Sequence, residues 1–545
     1  MKQKNSYLFI VFMLLLALVL VACGGGDTEA PAESSGGEET AAEETAVEPV
    51  EEEEAMEDDG PKIFTMLEPR DPLDIDPRTN YDGVGLMVLG QTYETLTHYN
   101  PPGSDPEISP ELATSWEASD DAMEWTFELR EGVTFHDGEP FNAEAVKNLV
   151  ENVRDGDFAT SWVFGPIVDI EVIDDHTIKF TNEYPAKLDL IFSSAFGAWM
   201  TSPAGLENGA EWFQAGNSAG TGPYKITSRE PGTRIVMSRH EDYWGGWSDG
   251  QFDSVVLEAV ADPAVQEQML RSGEASLVRA PDWDNLDSLE GDDVSIKIEG
   301  SYENQFFMLN NAKPPLDNPI VRQALVASFP YDDVLGNLRG GRGTPAGGAV
   351  PQSMWGASPN VAQAQDLEQA AALLAEAGIE EGTELDMWIS DGDVFEEQVA
   401  ELWTPILRDL GITLNVTTID ANALLEAFWA DPAEAMHISA LFWFPTYVTP
   451  FDPLFSPFST GEYFNTAAYD NEDFTNLLFE ADAVTATDLD GAIALYQQAN
   501  QMIIDDAAAV FVMDMPVIWL MDEAYDGYYY SPAYGSVVRA YNLNR

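Results

Sequence analysis

The sequence predicts two lobes of mixed α/β and α+β structure, and three observations carry that expectation. Residues 61–545 form a body of 485 residues, longer than one hydrophobic core usually serves. Its first half reads as short strands broken by turns. Its second half alternates helix with strand.

In the first half, EWTFELREGVTFHDGEPF (124–141) alternates apolar and polar residues through Trp125, Phe127 and Leu129, then turns at Glu131-Gly132 and Asp137-Gly138. Asn142 is a good helix N-cap, and Val146, Leu149 and Val150 repeat at helical spacing behind it. VDIEVIDDHTIKFTN (168–182) reads as a hairpin turning at Asp174-Asp175. In the second half, QDLEQAAALLAEAG (365–378) is a strong helix former that stops at Gly378. A strand ELDMWIS, a helix FEEQVAELWTPILRDLG and a strand ITLNVTTID follow it. That order is a βαβ unit and implies parallel strands.

The N-terminus has a different character. Lys2 and Lys4 precede an apolar run from Tyr7 to Ala22, and small residues follow, which together describe an export signal. The run is short for a membrane span. Cys23 is the sole cysteine, so no internal disulfide can form. Its position after Leu20-Val21-Ala22 resembles the lipobox of bacterial lipoproteins, which implies cleavage after residue 22 and lipidation of Cys23. Residues 27–60 hold fifteen Asp or Glu and no Lys or Arg. Such a segment cannot bury enough apolar surface to fold; as a tether it would reach about 30 Å root-mean-square. Residues 23–60 are therefore expected to hold the body off a membrane.

Charge excludes some partners. The body carries 81 acidic and 22 basic side chains, a net charge near −59. That sign disfavours nucleic acid and anionic lipid. It also strains the compact state by self-repulsion, which salt screens, so a saline habitat is expected.

Six ordered motifs then carry a family resemblance. SPELATSWEASDDAMEWTFELREGVTFHDGEPFNAEAV (109–146) closely resembles the signature of the family 5 extracellular solute-binding proteins, the dipeptide, oligopeptide and nickel receptors of ABC importers. GTGPYKI (220–226), RHEDYWGG (239–246), LNNAKPPLDNPIVRQAL (309–325), AAALLAEAG (370–378) and GYYYSPAYGSVVRAYNL (527–543) follow in family order. The resemblance implies a two-lobe periplasmic-binding-protein clamp of the large peptide-binding type. Lobe I would comprise residues 61–298 and 516–545, and lobe II residues 299–515. Crossing strands would lie near IKIEGSYENQFF and VFVMDMPVIWL. A small peptide-like solute would close the lobes by its preference for the closed state. The protein would be a monomer without cofactor or metal, anchored by lipid alone to the outer face of the cytoplasmic membrane, and would deliver its solute to permease and ATPase subunits.

The resemblance also implies where solute would be met. FWFPTYVTPFDPLFSPFSTGEYF (442–464) holds nine aromatic residues and reads as a proline-rich loop. Trp443 occupies the position of the family's cleft tryptophan in a Trp-x-x-Asp segment, where a ring can stack on solute; Phe444 and Tyr447 flank it. Thr446 stands where peptide receptors of the family place the aspartate that pairs with an α-ammonium. A buried ammonium without a carboxylate is costly, so Asp452, Glu303 or Asp391 would have to replace it. Asp391 and Asp393, Tyr81 and Asp82, and Tyr302, Glu303 and Asn304 are the other candidates, each equally readable as a turn or hinge residue. Arg322 reads as a helix-surface or hinge-supporting residue.

Rival chemistries find little support. Gly216-Asn217-Ser218-Ala219-Gly220 matches Gly-x-Ser-x-Gly, but a strand rather than a helix is predicted after it, against a nucleophile elbow. His98, His136, His176, His240 and His437 show no zinc-binding spacing. The chain is therefore read as a receptor rather than an enzyme. An oligosaccharide or a metal chelate remains open as the solute, and a sensor remains open as the role.

Overall fold

One sheet of eleven strands runs the length of the molecule, and two long antiparallel strands, Val294–Leu309 and Ala509–Asp522, join its halves. The computed structural model describes residues 60–279, 286–289, 291, 294–359, 363–391, 393–420 and 435–545. The expected signal, Cys23 and the acidic tether up to residue 59 lie outside the described residues, as does Gly392.

On one side of the long pair the sheet continues through Leu277–Arg279, Ile63–Glu68, Ser254–Ala259, Arg234–Arg239 and Tyr224–Glu230. On the other it continues through Ile438–Trp443, Thr383–Ser390 and Ile412–Ile419. Ala509–Asp522 is buried over most of its length, as its nearly continuous apolar sequence requires, whereas Val294–Leu309 is buried chiefly from Ser301 onward. Their ladder lapses between Gly300, which faces Pro516, and Asn304, which faces Asp514. Proline has no N–H to give to a ladder, so the lapse falls where the sequence cannot sustain pairing.

The predicted βαβ unit is present. Thr383–Ser390 and Ile412–Ile419 pair in parallel, Thr383 opposite Ile412, with helix Val394–Asp409 between them in sequence. The preceding helix, Leu367–Ala377, is capped by Asp366 and ends at Gly378, whose φ of 70° is a left-handed turn that glycine adopts without a steric cost.

A smaller antiparallel sheet is formed by Ala113–Ala118, Glu124–Leu129, Thr177–Asn182 and Ile167–Asp174, in that spatial order. Helix Ala143–Arg154 supplies Val146, Leu149, Val150 and Val153 to the same core, and the Asn142 side chain accepts from Ala145 N at 3.0 Å. Much of the family-like string 109–146 is thus core and cap. The hairpin turns at Asp175-His176, one residue later than expected.

Two expectations change. The stretch read as a proline-rich loop contains a helix, Phe451–Phe458, because Pro453 sits in its first turn, where the missing N–H costs nothing, and Pro457 near its end. Arg322 is buried rather than on a helix surface, donating to the carbonyls of Leu316, Asp506 and Ala507 at 2.7–3.3 Å.

Candidate functional site

The strand Ile438–Trp443 ends at Trp443, and the turn that follows is held by Asp452 from the first turn of helix Phe451–Phe458. The Asp452 carboxylate accepts from Thr446 N at 2.6 Å and from Ser456 Oγ at 2.8 Å. Burial raises its pKa, and the hydroxyls of Thr446 and Ser456 and the Trp443 indole oppose that rise. The Trp443 indole Nε1 is buried and faces that carboxylate without closing a full hydrogen bond. Its ring lies edge-on to Phe464 at 5.0 Å.

Residues far away in sequence complete the cluster. Tyr81 stacks on Phe196 at 4.8 Å, and Phe196 meets Phe444 at 6.1 Å. The Tyr81 ring is 44% exposed, yet its hydroxyl is sheltered enough for burial to push it up to about 12, with Thr446 and Trp162 as polar neighbours. Ser194 Oγ donates to the Thr446 carbonyl at 2.8 Å, and Trp162 lies 5.6 Å from Tyr447. Tyr81, Trp443, Phe444, Thr446, Tyr447 and Asp452 thus converge at one place. A partly exposed tyrosine, a tryptophan and a buried carboxyl offer ring faces and polar groups for orienting a small solute.

The other candidates are used differently. Asp82 caps the helix Gly83–Thr92 through Gly85 N, accepts from Leu73 N and pairs with Arg70. Asp393 caps Val394–Asp409 through Glu396 N at 3.0 Å. Asp391 is exposed, and its backbone N–H binds the Ile419 carbonyl. Tyr302 is buried with its hydroxyl toward Tyr99. Glu303 is raised by burial, with Arg279 and Arg339 opposing. Asn304 bonds Asp514 and Gly348.

Phe196 and Trp162 were not anticipated. Each sits in a short apolar segment indistinguishable by pattern from core, so no local signal could have separated them. The His136 and Ser218 motifs meet: His136 Nε2 lies 3.0 Å from the Gly222 carbonyl and so carries the proton, leaving Nδ1 to accept from Ser218 Oγ at 3.0 Å. Ser218 Oγ also accepts from Ile226 N, in the strand Tyr224–Glu230 that follows the motif. Among the described residues, no group of three or more His, Cys, Asp or Glu is placed to hold a metal ion.

A clamp of two sheet halves around a cluster of rings and a buried acid defines an extracytoplasmic solute receptor. The model of the bacterial extracellular solute-binding proteins, family 5 Middle, matches residues 107–465, and the chain belongs to that family, whose members serve ABC importers. It is 28% identical over 484 residues to a probable D,D-dipeptide-binding periplasmic protein of Escherichia coli, covering 87% of this chain and 92% of that one. It is 27% identical over 502 residues to heme-binding protein A of Haemophilus influenzae, covering 85% and 88%. In fold it is similar to the ABC transporter-associated periplasmic binding protein DppA of Helicobacter pylori, solved with the peptide STSA. That match has a TM-score of 0.76 and 24% identity, over 88% of this chain and 98% of that one.

Proposed function

We propose that this receptor is a lipid-anchored monomer that captures a small peptide-like solute between two lobes and hands it to the permease of an ABC importer. Lobe I comprises residues 61–298 and 516–545, lobe II residues 299–515, and the hinge lies where the long strands stop pairing. The observation that carries the reading is the convergence of Tyr81 with Trp443, Thr446 and Asp452, from opposite ends of the chain. The names of the relatives, which include binders of a D,D-dipeptide and of a peptide, support a peptide-like solute. Cys23 is the anchor and residues 24–60 the tether, supported by the order of signal, cysteine and acidic run; among the described residues no helix is long and apolar enough to cross a membrane.

The test is a thermal-shift screen of the purified protein against peptides, oligosaccharides and metal chelates. Solute at a hundred times its Kd stabilises by about 2.7 kcal/mol. Trp443→Ala should abolish the shift and the tryptophan fluorescence change; an unchanged affinity in that variant would put the site elsewhere.

A further inference from the structure

Beside the ring cluster lies a cavity of about 640 Å³ whose walls come from two distant stretches of chain, residues 162–191 and 447–485. The volume suits a small organic solute. One wall is aromatic: Phe451 and Phe455 stack at 4.8 Å, and Phe479 meets Phe455 edge-on at 5.4 Å. Phe479 keeps 53% of its surface exposed, an unusual outlay for a phenylalanine that only fills space. Asp482 and Glu462 also line the cavity, and Lys187 is the one basic residue among its lining groups.

Asp482 is the informative member. It lies on the helix Glu472–Thr485, one turn beyond Phe479 on the same side. Two influences act on its carboxyl: burial, which raises it to about 6, and the Tyr496 hydroxyl, which lowers it. Among the described residues it forms no ion pair, and its charge adds to burial in raising the hydroxyls of Tyr184, Tyr447 and Tyr496 around it. A sheltered carboxylate that makes no ion pair, set beside ring faces, is the arrangement that receives an ammonium group, since the carboxylate supplies the charge and the rings supply their negative faces. Thr446, by contrast, offers only a hydroxyl.

We propose that this cavity is the specificity pocket for a cationic group of the solute, an ammonium held by Asp482 against the Phe451, Phe455 and Phe479 rings. The proposal rests on the receptor reading and deepens it. An ammonium can come from a peptide's free N-terminus or from a lysine-like side chain, and Lys187 stands ready for an anionic group of the same solute.

Titration calorimetry on the full chain with Ala-Phe, N-acetyl-Ala-Phe and N-acetyl-Lys-Phe separates the two sources. Loss of binding on acetylation assigns the α-ammonium, and recovery by the lysine-bearing probe assigns a side-chain amine. Asp482→Asn should weaken the amine-bearing probe at least tenfold without moving the melting temperature by more than a few degrees. Phe455→Leu, which keeps bulk but removes a ring face, should weaken it several-fold and serves if Asp482→Asn fails to fold. Equal affinity for all three probes, or unchanged affinity of the amine-bearing probe in Asp482→Asn, overturns the proposal. If an oligosaccharide or chelate binds while no amine-bearing probe does, this proposal falls and the receptor reading stands. If no solute of any class binds, both fall.

Discussion

The Asn304 side chain donates from Nδ2 to the Asp514 carboxylate at 2.9 Å and to the Gly348 carbonyl at 2.9 Å, tying the two long strands together where their ladder resumes after Gly300. Asp514 also accepts from Gln352 N at 2.6 Å. A buried acid therefore organises three segments at the junction between the halves of the sheet.

Asp514 makes stability depend on pH. Burial lifts its carboxyl from 3.8 to about 7, the Gln352 bond opposing. A folded pKa above the unfolded one means that its contribution is fully present below about pH 4 and is lost as pH rises towards 7. Asp514→Asn should flatten the melting-temperature profile between pH 4.5 and 7.5 by about 1–4 kcal/mol of stability. A slope equal to that of the native chain would assign the dependence to other buried acids.

Restoring an aspartate at position 446 should fail. Thr446 is 2% exposed and Asp452 1%, and their backbone-to-carboxylate bond is 2.6 Å. Thr446→Asp sets two sheltered carboxylates side by side and should cost about 3 kcal/mol or more in urea unfolding. Thr446→Val, of similar shape, should cost clearly less. A stable Thr446→Asp protein would mean that this turn opens to water.

The GTGPYKI motif is a close-packing device. A Cβ on Gly220 would collide with the Thr92 carbonyl oxygen and stand 2.6 Å from the Tyr93 ring; one on Gly222 would stand 2.6 Å from the Thr92 carbonyl carbon. Gly220→Ala should destabilise by about 1–3 kcal/mol or more, read as a lower urea midpoint. Gly232→Ala, which has open space but a φ of 76°, should cost about 1 kcal/mol from backbone strain.

Salt should stabilise the body. With a net charge near −59 after residue 60, raising NaCl from 0.05 to 1 M shortens the Debye length from more than about 10 Å to about 3 Å. The melting temperature should climb across that range. A flat response would show that the ion pairs on the surface already balance the repulsion.

Local sequence sets the two-part mixed architecture, the βαβ unit, the Asn142 and Gly378 caps, the two long strands and, through ordered motifs, the family. Caps, turns and alternation are set by residues within a few positions of one another, so they are legible without a fold. Trp443, Thr446 and Asp452 were legible together as candidates because they lie on one short segment. Tertiary structure alone decided the rest. Ser194 reaches Thr446 across 252 positions, and Tyr81 arrives from the other end of the chain. Asp82, Asn304 and Asp393 became a cap, a strand tie and a cap, since a carboxylate or amide in a sequence does not declare which backbone groups will need it. Asp482 sat unremarked on an ordinary amphipathic helix. Packing beside Tyr496 and Tyr184 made that acid a sheltered one, because burial, not residue type, decides what a carboxylate can bind.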